Sequence, residues 1–190
     1  VHEKGYQPCR LVAIYARNCE EWITTDMACC LYGLTSIPIF DTLGLDSLPF
    51  IFEQTQVQTI FTSANHVDKL IQDAANKKTF QLRNIICFEP FTSDQKAAAE
   101  KAGLQLIPFA YLIEQGGQKL APYPQVSPDT IFSLCYTSGT TGTAKAAILT
   151  HGNIVAAVGA CEEHPTIGID KMGRGDVHLS YLPMAHIFER

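Results

Sequence analysis

No Cys-x-x-C pair, no Asn-x-Ser/Thr acceptor and no block of like charge occurs in this chain of 190 residues, and each absence removes a class of protein. Cys161 and His164 have metal-like spacing but no second pair to complete a zinc site. A nucleic-acid binder needs a basic face against the phosphate backbone. Here 14 Lys and Arg are outnumbered by 19 Asp and Glu, a formal charge of −5, so no nucleic-acid partner is expected. No apolar run reaches the roughly 18–20 residues a membrane helix needs. The nearest, residues 27–40, is interrupted by Gly33, Thr35, Ser36 and Pro38. Charged residues make up only 17%, with Gly and Pro unremarkable and no internal repeat, so disordered and fibrous classes fall away.

What is present is a hydrophobic content of 46%, ample for the buried core of one domain, or of a domain and a half. Seven cysteines make an odd count, and they lie in apolar patterns: Cys29 and Cys30 within a helical one, Cys87 and Cys135 within strand-like runs. They read as buried thiols of a reduced, intracellular protein rather than a disulfide set. The chain starts at Val1 without Met or leader and stops at Arg190 with no ending signal. It reads as a fragment cut at both ends.

Strand-like and helical patterns alternate. Residues 11–15, 36–40, 59–62, 84–88, 105–109, 131–136, 146–149 and 177–182 have strand character. Ile23, Met27, Leu31 and Leu34 recur at helical spacing and predict a helix with that face in the core. Residues 46–55 and 67–75 read as further helices, and 151–161 as a nearly all-apolar, buried one. Thr92 with Gln95 matches a capping box and Gly103 suits a helix end, which predicts a helix over 93–102. Glycines and prolines over 116–129 mark a linker. The expected fold class is α/β with mostly parallel strands joined by right-handed crossovers. The expected division is a first α/β subdomain over 1–120 and the start of a second over 121–190.

The stretch Tyr136-Thr-Ser-Gly-Thr-Thr-Gly-Thr-Ala-Lys145 follows an apolar strand and concentrates hydroxyls, two glycines and a lysine. Gly139 and Gly142 permit positive φ and close backbone approach to a ligand. Successive N–H groups can then line an anion-binding concavity. Thr137, Ser138, Thr140, Thr141 and Thr143 add hydroxyl donors, and Lys145 a mobile positive charge, pictured here at the tip of a hairpin. Such a set suits a polyphosphate. It is not a Walker loop, which needs Gly-Lys-Ser/Thr contiguous and four residues between its glycines. Ser138 is not in a Gly-x-Ser-x-Gly elbow, so a serine hydrolase is disfavoured. His151 reads as the start of a helix, and Trp22, Phe50 and Phe52 as core packing.

Residues 136–145, with Ile148-Leu-Thr-His151, resemble the phosphate-loop signature of the adenylate-forming, or AMP-binding, superfamily: Tyr-Thr-Ser-Gly-Thr-Thr-Gly-x-Pro-Lys-Gly. Residues 12–15 with Glu21-Trp22, Ile37-Pro-Ile-Phe-Asp-Thr-Leu-Gly44 and Tyr181-Leu-Pro-Met-Ala-His-Ile-Phe-Glu-Arg190 look like its long-chain fatty acyl-CoA synthetase branch. The resemblance implies part of the large N-terminal domain of a ligase that joins a fatty acid to coenzyme A with ATP and Mg²⁺. It assigns Thr137, Ser138, Gly139, Thr140, Thr141, Gly142 and Lys145 to the polyphosphate, with Lys145 and Thr140 catalytic, and His186 to the acyl and pantetheine pocket. Membrane association would come through segments absent here, and the expected location is the cytoplasm or the cytosolic face of an organelle. The family's adenine, ribose and Mg²⁺ residues and its C-terminal lysine are not in this sequence, so the chain alone is expected to be inactive. Two other readings stay open: an adenylate-forming ligase for an aryl or amino acid, and a non-catalytic relative that binds nucleotide or acyl groups. Ala144 stands where the signature has Pro and Ala146 where it has Gly, which predicts weakened but retained phosphate binding, most of all if position 146 needs positive φ.

Overall fold

The computed structural model describes residues 10–41, 47–76, 78, 81–137, 145–163 and 173–190. The elements run β1 (Leu11–Tyr15), α1 (Glu20–Leu31), β2 (Thr35–Ile39), α2 (Ser47–Thr55), β3 (Thr59–Thr62), α3 (Ala64–Ala75), β4 (Asn84–Cys87), α4 (Ser93–Lys101) and β5 (Gln105–Pro108). They continue with α5 (Phe109–Gln118), β6 (Ile131–Thr137), β7 (Lys145–Thr150), α6 (His151–Glu163) and a 3₁₀ turn over Ile187–Glu189. Among the described residues seven strands form one sheet, in the order β5-β4-β3-β1-β2-β6-β7. Every pairing is parallel except β6 with β7, an antiparallel hairpin. The expected α/β class with a mostly parallel sheet is the class observed.

Strand alternation divides the core into two layers. Leu11, Ala13 and Tyr15 of β1, with Ile37 and Ile39 of β2, face a large cluster completed by Leu48, Ile51 and Phe52 of α2 and Val67 and Leu70 of α3. Ile14 of β1 and Ala16, just past its end, face the other way, onto Trp22 of α1. Each of the larger aliphatic or aromatic side chains removed from water contributes about 1.5–3 kcal/mol. Trp22 and Phe52 are core residues, as expected, and Phe50 packs against the same core. The capping box is present too. Thr92 Oγ1 accepts from the Gln95 N–H at 3.1 Å, Gln95 Oε1 accepts from the Thr92 N–H at 3.0 Å, and Gly103 takes φ +75° after the helix.

Five expectations need correction. In α1 the buried face is Trp22, Thr25, Asp26 and Cys29, while Met27 and Leu31 are exposed. The aliphatic period was real but lay one residue off the stripe that meets the sheet. The strand over 105–109 stops at Pro108, and the supposed linker begins inside a helix, since α5 runs through Gly116 and Gly117. Helix α6 is not buried: Val155 is 71% exposed, and none of its described side chains is buried. Its apolar composition calls for a cover that the described residues do not supply. Residues 177–182 are not a strand. Val177, Leu179 and Tyr181 are exposed, and the segment is tied down by Asn18 instead of by a β-ladder.

Candidate functional site

Because β6 runs parallel to β2, its C-terminal residue Thr137 emerges at the sheet edge where β1, β2, β3 and β4 also end. In parallel α/β sheets this carboxyl edge is where ligands bind, near the point at which strand order reverses. The chain steps from β1 to β2 on one side and then returns to β3 on the other, so the reversal is at β1.

Thr137 and Lys145 are paired across the hairpin, with the Thr137 hydroxyl 3.4 Å from the carbonyl oxygen of Lys145. Both are exposed. The residues between them, including Ser138, Gly139, Thr140, Thr141 and Gly142 of the expected phosphate set, together with Ala144, lie outside the described residues. Lys145 therefore stands at the root of the hairpin rather than at its tip. The root is anchored one residue inward: Tyr136 is buried and donates its hydroxyl to Gln54 Oε1 of α2 at 2.5 Å, and burial pushes the phenol up to about 12.

Ala146 pairs with Tyr136 in β7 and packs against the core. Among the described non-glycine residues only Gln56 has positive φ. The left-handed backbone that would have made an alanine costly at 146 is thus not required.

His186 follows Ala185, which lines a cavity of about 370 Å³ together with Arg17, Asn18, Asp41, Tyr181 and Leu182. The cavity opens at the ends of β1 and β2. The His186 ring is exposed, and its Nδ1 accepts from the Phe188 N–H at 3.2 Å, which fixes the ring at the start of the 3₁₀ turn. His151 begins α6, as expected, edge-on to Phe132 with centroids 5.5 Å apart, and burial holds it below its ordinary value.

A polar cluster at the same edge escaped the reading of the sequence. Asp41 accepts from Arg17 Nε at 3.0 Å and meets His66 Nε2 at 2.5 Å, and His66 stacks on Tyr15 with centroids 3.9 Å apart. Burial works against the Asp41 charge, but the Arg17 and His66 contacts outweigh it and hold the carboxyl below the usual range. A signal was available: Arg17 and Asp41 sit just past apolar runs that end as parallel strands, where polar residues face the carboxyl edge. Among the described residues no three His, Cys, Asp or Glu side chains gather to hold a metal ion, and no helix is long and apolar enough to cross a membrane.

A family model described as "AMP-binding enzyme" matches residues 1–190. Long chain acyl-CoA synthetase 7, peroxisomal, of Arabidopsis thaliana is 34% identical over 179 residues, covering 94% of this chain and 25% of that protein. Long-chain-fatty-acid–CoA ligase 6 of Rattus norvegicus is 35% identical over 190 residues, covering 95% of this chain and 26% of that protein. Among solved structures, the adenylation and carrier didomain of carboxylic acid reductase from Segniliparus rugosus, in complex with AMP, aligns with a TM-score of 0.72 at 21% identity, covering 97% of this chain and 27% of that one. At that identity the likeness speaks for the fold. The chain spans about a quarter of the length of the relatives it matches.

Proposed function

The chain belongs to the AMP-binding enzyme family, and from that premise we propose that it is the phosphate-gripping part of an ATP-dependent long-chain fatty acid–CoA ligase. In the proposed reaction a fatty carboxylate oxygen attacks the α-phosphorus of ATP, and pyrophosphate leaves with the electrons of the broken P–O bond. The thiol of coenzyme A then attacks the acyl carbon of the adenylate and AMP departs. Mg²⁺ enters with the nucleotide as part of the substrate, and no step is assigned to it on the protein.

The observation that carries the proposal is the hairpin root. Thr137 and Lys145 are held face to face at the carboxyl edge, so the intervening seven residues start and end beside a hydroxyl and an ammonium. Negative charge grows on the leaving pyrophosphate in the transition state, and donors already in place there lower the barrier without having to reorganise. In this reading Thr137, Ser138, Gly139, Thr140, Thr141, Gly142 and Lys145 hold the β- and γ-phosphates, Lys145 and Thr140 act on the charge that develops, and His186 borders the acyl group. The branch is supported by the relatives, which are long-chain acyl-CoA synthetases and ligases. Division of the chain near residue 120 into two subdomains, and an intracellular location, belong to the same proposal.

The test is palmitate-dependent ATP–pyrophosphate exchange by the full-length protein. Exchange with palmitate and none with amino acids supports the ligase, whereas exchange with an aryl or amino acid alone replaces it with another member of the family. No exchange with any acid, despite nucleotide binding, favours the non-catalytic relative.

A further inference from the structure

Helix α1 buries an aspartate completely: Asp26 is 0% exposed. Its partner comes from the far end of the chain. Arg190 Nη1 donates to Asp26 Oδ1 at 2.9 Å, with the arginine side chain only 2% exposed. The same guanidinium donates to Ser36 Oγ at 3.3 Å, to Ser133 Oγ at 3.1 Å and to Cys135 Sγ at 3.3 Å. It lies 5.7 Å from the Trp22 ring centre and 5.4 Å from that of Phe132. Ser36 and Ser133 are register partners joining β2 to β6, and their hydroxyls bond to each other at 3.1 Å. One planar cation thus ties α1, β2 and β6 together.

We propose that Arg190 is a positioning residue, whose guanidinium fixes the segment carrying His186 against the strand that leads into the phosphate loop. Two arguments support this. First, a buried ion pair is a poor source of stability, since apolar residues of equal volume serve as well or better. This pair is also incompletely satisfied: among the described residues nothing hydrogen-bonds to Asp26 Oδ2 or Arg190 Nε. Its benefit therefore has to be sought in placement. Second, the segment is fastened at both ends to the same region of the fold. Asn18 Nδ2 donates to Ser180 Oγ at 2.9 Å and to the Leu182 carbonyl at 2.7 Å, and Asn18 Oδ1 accepts from the Met184 N–H at 2.8 Å. Arg190 fastens the other end, and His186 lies between. On β6, Cys135 is two residues from Thr137, where the loop begins. The fork shape matters, because a lysine cannot reach Asp26, Ser36, Ser133 and Cys135 at once.

The proposal rests on the ligase reading for its catalytic meaning, and the experiment separates the two. In the full-length protein, Arg190→Lys and the apolar double variant Asp26→Leu/Arg190→Met are compared with wild type by thermal melting, backbone hydrogen exchange and palmitate-dependent ATP–pyrophosphate exchange. The double variant is expected to melt within about 5 °C of wild type. Residues 180–189 are nevertheless expected to exchange hydrogen about tenfold faster, or more, and the KM for palmitate to rise about tenfold. Arg190→Lys is expected to share the KM increase. Unchanged protection of 180–189 in both variants overturns the proposal, as does a palmitate KM that recovers along with the melting temperature. If wild type shows no palmitate-dependent exchange, the ligase reading fails by itself, and the hydrogen-exchange arm still decides the positioning role.

Discussion

Thr137 and Lys145 face each other across the end of the β6–β7 ladder, the threonine hydroxyl 3.4 Å from the lysine carbonyl oxygen. The lysine backbone is therefore built into a strand, and only its side chain is free to follow a ligand. That distinguishes it from a lysine carried on an unpaired loop: the root is held by a paired, anchored strand end, so under the proposed function less ordering is left for nucleotide binding.

The strand geometry at Ala146 changes what its substitution should do. With extended backbone and a side chain packed on the core, Ala146→Gly gains nothing conformationally. It should lose about 0.5–1 kcal/mol of stability, read from urea unfolding, with the KM for ATP unchanged within about twofold. A large fall in that KM would show that the methyl group obstructs the nucleotide.

The two faces of α1 give a stability test. Met27→Gln lies on the exposed side and should shift unfolding by no more than about 0.5 kcal/mol. Trp22→Ala removes a completely buried ring and should cost about 3–5 kcal/mol. The reverse ranking would restore the aliphatic face suggested by the sequence.

That reversal shows what local pattern can and cannot disclose. The β1, β3 and capping-box assignments were legible because each depends on neighbours in sequence: an apolar run of strand length, or a Thr and a Gln three residues apart. The buried stripe of α1 was not. It contains Asp26, whose charge is tolerable in the core only because Arg190, 164 residues away, meets it there. The burial of α6 and the strand over 177–182 failed for a related reason. Composition records an appetite for partners, but only the fold shows whether one is present. At the site, Thr137 and Lys145 were legible as residue types. The Asp41 cluster was not, since Arg17, Asp41 and His66 meet only after three strands align.

Acid should weaken that cluster in a defined direction. Asp41 has a lowered pKa despite the opposing effect of burial, because Arg17 and His66 favour its ionised form. Its contribution is present above the ordinary carboxylate value of about 4 and is lost as pH falls through the lower folded value. Asp41→Asn should therefore cost about 1–3 kcal/mol at pH 7. The gap from wild type should narrow below about pH 4 in urea titrations. A gap that stays constant to pH 2 would contradict the assignment.

Thiol chemistry offers a further check. Burial, with smaller effects from Asp26 and Cys30, pushes Cys29 up to about 12, and burial pushes Cys87 up to about 11. At pH 8 the reactive thiolate of Cys29 is about one part in ten thousand. Iodoacetamide should modify both cysteines in the native protein at least about a hundredfold more slowly than in urea. Rapid native alkylation of either would place it nearer solvent than the fold allows.

The most direct measurement is acid-dependent ATP–pyrophosphate exchange by full-length Lys145→Ala and Thr140→Ala, beside wild type. Each variant should lose roughly a hundred- to a thousandfold in kcat/KM for ATP, the scale expected when one preformed donor to a developing charge is removed, while melting temperatures stay put. Parental exchange in both variants would mean that the hairpin between β6 and β7 does not hold the triphosphate.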